Sequence, residues 1–177
     1  MRPLVLLDCD GVVNANKVRN PAEAAVFNTG HDRVAIPHEA IKALRVLFDL
    51  AEEVLWCTAR RNSANEWITP YLAKARVLEE GTFPGWITDG RSFDEAGWTT
   101  DWKLEAVTED IRVWAARNAG RPVWWIEDFG WSMIGGRSVI KYTDVVALGI
   151  NPIDTAEIGH LTLRQMLRSG ITRTEAL

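Results

Sequence analysis

The sequence predicts an α/β fold, a doubly wound parallel sheet in one domain, and three observations carry that expectation. Three short runs, Pro3 to Leu7, Glu53 to Cys57 in its core Val54 to Cys57, and Val123 to Ile126, are apolar at successive rather than alternate positions, as strands covered on both faces are. Segments with helical apolar spacing separate them, and right-handed crossovers between parallel strands follow from that alternation. Each run ends in chemically competent residues: Asp8 and Asp10, then Thr58, then Glu127 and Asp128. Ligands bind beyond the carboxyl ends of strands in such sheets, so the three ends are expected to converge on one site.

The elements follow in order. Ala15 to Ile36 carries few apolar residues in any period and reads as an irregular flap. Pro37 opens a helix running to Leu50, with Ile41, Leu44, Leu47 and Phe48 as one apolar stripe. After the second strand, Asn62 or Ser63 caps a helix carrying Trp67 and Ile68, kinked or restarted at Pro70 and ending near Leu78. Residues 79–99, rich in glycine and turn formers, form a connector with one short strand near Trp86. Thr99 or Thr100 caps a long helix to about Asn118, with Leu104, Val107, Ile111 and Trp114 as its buried face and Gly120 closing it. A further strand is expected at Val145 to Leu148 and a last helix near Leu161 to Leu167.

Composition bounds the rest. A chain of 177 residues with 47% hydrophobic and 25% charged residues fits one soluble domain, residues 1–177, without repeats or linkers. No apolar run is long enough to cross a bilayer, and Asp8 and Asp10 interrupt the only stretch that resembles a leader, so no membrane partner and a cytoplasmic location are expected. The net charge of −4 gives no global basic field for nucleic acid. Cys9 and Cys57 lack metal or redox spacing and read as buried free thiols. His31, His38 and His160 are scattered, which leaves a zinc site or a histidine triad without support. Of the nine tryptophans, Trp56, Trp114, Trp124 and Trp125 take core spacing, while Trp98, Trp102 and Trp131 lie near motif loops where they could stack on a base or sugar.

The chemistry centres on Asp8-Cys9-Asp10-Gly11-Val12-Val13-Asn14. Period-two geometry points Asp8 and Asp10 to one side, and Gly11 lets the backbone turn sharply and approach a ligand. Two such carboxylates need a hard cation or a shared proton between them, and an all-oxygen donor set favours Mg²⁺ over zinc or copper. Lys103 falls in the first turn of its helix, against the macrodipole, which marks it as the best-placed functional lysine. Arg60 and Arg61 follow Thr58 and could meet a substrate phosphate or equally stand on a solvated surface.

This order of parts resembles the haloacid dehalogenase-like superfamily: a DxDGxx motif at Asp8 to Asn14, a strand-end Thr58, Lys103, and the acidic pair Glu127-Asp128. More narrowly, Val54 to Thr58, Ala64-Asn65, Trp124 to Asp128, and Asn151-Pro152 to His160-Leu161-Thr162 look like the small domains of this type in some RNA-repair proteins. The resemblance implies a Rossmann-like fold and a phosphatase working through an aspartyl-phosphate. Asp8 would be the nucleophile and Asp10 the general acid and base. Thr58, with Arg60, would hold the phosphoryl group, and Lys103 would neutralise its charge. Mg²⁺ would sit on Asp8, the Asp10 carbonyl and Asp128, with Glu127 beside it or bound through water. Which of Glu127 and Asp128 is the direct ligand stays open, because glutamate stands where many relatives carry aspartate.

Other readings use some of the same parts. A receiver-like phosphoacceptor module also has strand-end acids, a threonine and a lysine, but needs its acceptor aspartate on a later strand. A fold kept only as a binding module would normally have lost the nucleophile or the lysine. Relatives that act on small metabolites usually carry a cap domain, and neither Ala15 to Ile36 nor Arg60 to Thr100 is large enough for one. A capless, open site points to a phosphate on a nucleotide or polynucleotide end, with a small sugar phosphate as the alternative.

Overall fold

Leu4–Leu7 forms strand β1 with all four side chains buried, and a strand without a solvent face belongs at the centre of a covered sheet. In the computed structural model, which describes residues 1–15, 20–28, 33–58, 60, 64–87, 101–129 and 140–169, it does. β1 pairs in parallel with β4 (Glu53–Trp56) on one side and β6 (Val123–Glu127) on the other. The short β5 (Gly85–Trp86) and β7 (Asn151–Asp154) complete a five-stranded parallel sheet in the order β5-β4-β1-β6-β7.

The pleat divides the core in two. Val5 and Leu7 face helices α1 (His38–Leu50), α2 (Thr69–Lys74) and α6 (Thr155–Ser169). Leu4 and Leu6 face α3 (Asp101–Glu109), α4 (Ile111–Asn118) and α5 (Tyr142–Ala147). Helices therefore cover both faces of the sheet. α1 starts directly after Pro37 and buries Ile41, Leu44 and Leu47, as its sequence spacing predicts. Trp56 and Trp125 are fully buried in these two layers, and Cys9 and Cys57 are buried free thiols.

Several expectations are corrected. The stretch read as an irregular flap holds an antiparallel hairpin, β2 (Ala24–Asn28) with β3 (Arg33–Pro37), separate from the main sheet. Its signal is weak in sequence because only Ala24 and the run Val34 to Ile36 are buried. After β4, Ala64–Ile68 forms a π-helical turn that passes into α2 at Thr69, with Pro70 in the first turn, where its missing N–H costs nothing. α2 ends at Lys74, short of Leu78, and Arg76 takes a left-handed φ of 56°. The capping candidates Asn62, Ser63, Thr99 and Thr100 lie outside the described residues.

The long helix expected up to Asn118 is two helices. Asp110 breaks it: its carboxylate accepts from the backbone N–H groups of Arg112 (2.8 Å) and Val113 (3.4 Å) and so caps α4. The break turns the second half, so Ile111 and Trp114 are 70% and 57% exposed while Val113 and Ala116 are buried. The strand expected at Val145 to Leu148 is part of α5 and the turn after it; the strand lies further on, at Asn151–Asp154. A short apolar run does not by itself separate strand from helix, and Pro152 is tolerated because β7 is an edge strand. The last helix starts at Thr155, earlier than its apolar spacing marks, and is broken at Gly159.

Asp110 is buried and also pairs with Arg112 at 2.6 Å. Asp110→Ala is expected to lower stability by about 1–2 kcal/mol through the lost cap. Urea denaturation of the two proteins checks this, and an unchanged midpoint would mean that the cap contributes nothing.

Candidate active site at the strand ends

The chain runs from β1 outward through β4 to β5, then returns past β1 to β6. That reversal makes the ends of β1 and β6 the switch point, the place where α/β sheets bind ligands. The register Leu7↔Ile126 and the bond from Asp8 N–H to the Ile126 carbonyl (3.0 Å) bring Asp8 and Glu127 side by side. Lys103, from the first turn of α3, reaches between them. Its Nζ donates to Asp8 Oδ1 at 2.9 Å and to Glu127 Oε2 at 2.7 Å. All three residues are buried.

Asp128 completes the group. Asp8, Glu127 and Asp128 each offer a carboxylate oxygen, and these oxygens lie within 4.8 Å of one another. Gly11 makes room for this, because a side-chain carbon there would fall 1.9 Å from Asp128 Oδ2. Its φ of 81° also favours glycine.

One ammonium cannot neutralise three carboxylates, so the cluster must keep a proton or take up a cation. Burial alone would depress the pKa of Lys103, but the charges of Asp8 and Glu127 outweigh it and hold the ammonium well above the ordinary lysine value. Burial and the charge of Asp8 push the Glu127 carboxyl well above the usual range, against the pull of Lys103. The same two causes raise Asp128 to about 7. Carboxylates that resist ionisation together, at this spacing, form an all-oxygen site suited to a hard divalent cation.

The Asp10 side chain stands apart from that cluster. Its Oδ1 accepts from Asn14 Nδ2 at 2.8 Å and its Oδ2 from Arg60 Nε at 2.8 Å. The Asp10 side chain keeps 39% of its surface exposed. Thr58 is buried at the end of β4, and its Oγ1 accepts from the Arg60 N–H at 3.3 Å. Cys57 N–H, bonded to the Leu7 carbonyl at 2.9 Å, aligns this strand end with that of β1.

No family model matches the chain, and neither does any curated protein or solved structure.

The sequence-predicted residues thus fall into two adjoining groups: Asp8, Lys103, Glu127 and Asp128 in a buried cluster, and Asp10, Arg60 and Thr58 linked beside it. Trp102, expected near the motifs as a stacking surface, is buried in the core instead, on the face of the sheet with Leu4 and Leu6. Arg61, Trp98 and Trp131 lie outside the described residues. Two contributors stand within quoted motifs, but the sequence assigns neither a role. Asn14 is buried, holds Asp10, and accepts from the Ala35 N–H of β3 at 2.8 Å. His160, presented just after the break at Gly159, sets its Nε2 2.5 Å from the Val12 carbonyl. No spacing rule links residue 160 to residue 12, although Asn14 lies within the acidic motif itself.

Two substitutions test this arrangement. Gly11→Ala is expected to lose at least about 1 kcal/mol, since it combines left-handed backbone with the clash against Asp128. A thermal melt within a degree of wild type would contradict it. Lys103→Ala is expected to cost about 3–5 kcal/mol, because it leaves buried carboxylates without their counter-charge. The same change at the exposed Lys42 is expected to cost under about 1 kcal/mol, and equal losses in parallel urea titrations would argue against a special role for the buried ammonium.

Proposed function

We propose that this chain is a Mg²⁺-dependent phosphomonoester hydrolase working through an aspartyl-phosphate on Asp8. One observation carries the reading: a buried lysine bridges Asp8 and Glu127 beside Asp128, with a second aspartate, Asp10, at the adjoining solvent-facing edge. The same four motifs underlie the resemblance to haloacid dehalogenase-like phosphatases. We extend it to the fold, reading the sheet as doubly wound, Rossmann-like and without a large cap. In the two gaps where a cap would enter, the described residues form only a 3-10 turn at Pro21–Glu23, the β2–β3 hairpin, a π-helical turn, α2 and β5.

In this mechanism an Asp8 carboxylate oxygen attacks phosphorus, the bond to the leaving oxygen breaks, and that oxygen takes a proton from Asp10. Asp10 then removes a proton from water, which attacks phosphorus. The bond to Asp8 breaks, orthophosphate leaves and the carboxylate is restored. Lys103 holds Asp8 in place and offsets charge on the phosphoryl oxygens. The Thr58 hydroxyl donates to the same oxygens, and Arg60, next to Asp10, is the cation that faces the substrate. Asp8, Asp128 and Glu127 would hold Mg²⁺, which when bound supplies the positive charge that lets a phosphate dianion approach a carboxylate cluster.

For substrate we favour a phosphate on a nucleotide or polynucleotide end, because a capless site admits a bulky group to Asp8. A panel of small sugar phosphates, nucleotides and 3′- or 5′-phosphorylated oligonucleotides tests both levels of the proposal. Mg²⁺-dependent release of orthophosphate is expected, lost in excess chelator and reduced at least about a hundredfold in Asp8→Asn. Release that survives chelator, or Asp8→Asn at more than about a tenth of the wild-type rate, would sink the covalent mechanism. Turnover of sugar phosphates alone would overturn the choice of substrate.

A further inference from the structure

A second concave site lies at the other end of the sheet. Trp114, Arg117 and Asn118 of α4, Gly120 to Pro122 leading into β6, and Gly149 with Asn151 at the start of β7 line an open cleft of about 630 Å³. It opens beside the first residues of β6 and β7, whereas the carboxylate cluster lies at the last residue of β6, Glu127, and beyond it. The five residues of β6 alone separate the two by about 13 Å at 3.3 Å per residue.

Three features give this cleft a chemical preference. Among the described residues no carboxylate lines it, although the chain as a whole carries a net charge of −4. Among the described residues, neither Arg117 nor Arg121 has an acidic group within ion-pair distance, whereas Arg60, Arg112 and Arg164 all do. Beside these cations stands Trp114, more than half exposed because the Asp110 break turns it out of the core.

A flat aromatic surface next to two unpaired guanidiniums matches a ligand that is aromatic and anionic at once. Solvated surface arginines are common, and either arginine alone would carry nothing. Together with an exposed indole in one cleft of ligand size, they make a stacking platform with an adjoining phosphate site. We propose that this cleft binds a nucleotide unit, its base stacked on Trp114 and its phosphate held by Arg117 and Arg121. The unit is either a free mononucleotide or one residue of a single strand. This assignment stands whether or not the strand-end cluster is a phosphatase.

Binding is measured by calorimetry on the full chain, in excess chelator so that the strand-end site neither turns over nor holds a cation, with three probes: adenosine monophosphate, an octanucleotide lacking terminal phosphates, and inorganic phosphate. The octanucleotide keeps the strand-end site out of the measurement, since it offers that site no phosphomonoester. At least one of the first two is expected to bind more tightly than inorganic phosphate, with affinity falling as salt rises. The one that binds identifies the source of the unit. Trp114→Ala and the double variant Arg117→Ala/Arg121→Ala are each expected to weaken that binding about tenfold or more. Trp114 and Arg117 are exposed and Arg121 is half-buried, so both variants should fold, which a thermal melt checks. Lys42→Ala, an exposed change outside the cleft, should bind like wild type. The proposal is overturned if neither nucleotide binds, if inorganic phosphate binds as well as they do, or if binding survives in both cleft variants.

Discussion

The buried ammonium of Lys103 is the contact on which the arrangement of the strand ends depends. It ties α3 to two neighbouring strands at once, through Asp8 after β1 and Glu127 at the end of β6. A cation in the first turn of a helix opposes the macrodipole by about 0.3–1 kcal/mol, and burial adds a larger desolvation cost. Two short charge-assisted hydrogen bonds offset both. The cost explains the geometry: a lysine buried this deeply keeps its charge only while both carboxylates stay within reach, so the docking of α3 and the register of β1 against β6 support each other.

That register also accounts for the acidity of the site. Parallel pairing puts Asp8 level with Glu127, and Gly11 removes the side chain that would otherwise hold Asp128 away. Three carboxylates then share one buried region with a single ammonium. Such a cluster is costly as a structural device, since the same space filled by apolar residues would be about as stable or more so. Its presence at the crevice where the sheet reverses direction is therefore better explained by function than by stability.

Much of this was legible in the chain. β1, β4 and β6 announce themselves because a strand covered on both faces is apolar at every position, a pattern that needs no tertiary knowledge. The polar residues that end these runs then identify the site almost unaided. What sequence could not supply was mostly a matter of what lies across space. Ile111 and Trp114 continue the helical spacing of Leu104 and Val107, so one long helix is the natural reading of that stretch. Only the Asp110 carboxylate folding back onto Arg112 and Val113 shows that the face turns. Val145 to Leu148 misleads for a related reason. Four apolar residues suit a strand, yet only Val145 and, in part, Leu148 meet the core, and that spacing of three is helical.

The acidic loop shows why the missed residues matter. Asp8 is held by the sheet and Lys103, but Asp10 lies past the last β1 pairing and needs support from elsewhere. That support comes from three directions. β3 fixes Asn14 through Ala35, and Asn14 in turn holds Asp10. Arg60, beyond β4, holds the other oxygen of the same carboxylate. On the far side α6, interrupted at Gly159, presents His160 to the Val12 carbonyl. Burial lowers the pKa of that imidazole, which favours its neutral form, so its Nε2–H can serve as a fixed, uncharged donor. The hairpin and the last helix, the two elements whose boundaries the sequence marks most weakly, are thus the ones that hold the loop between the two catalytic candidates in shape.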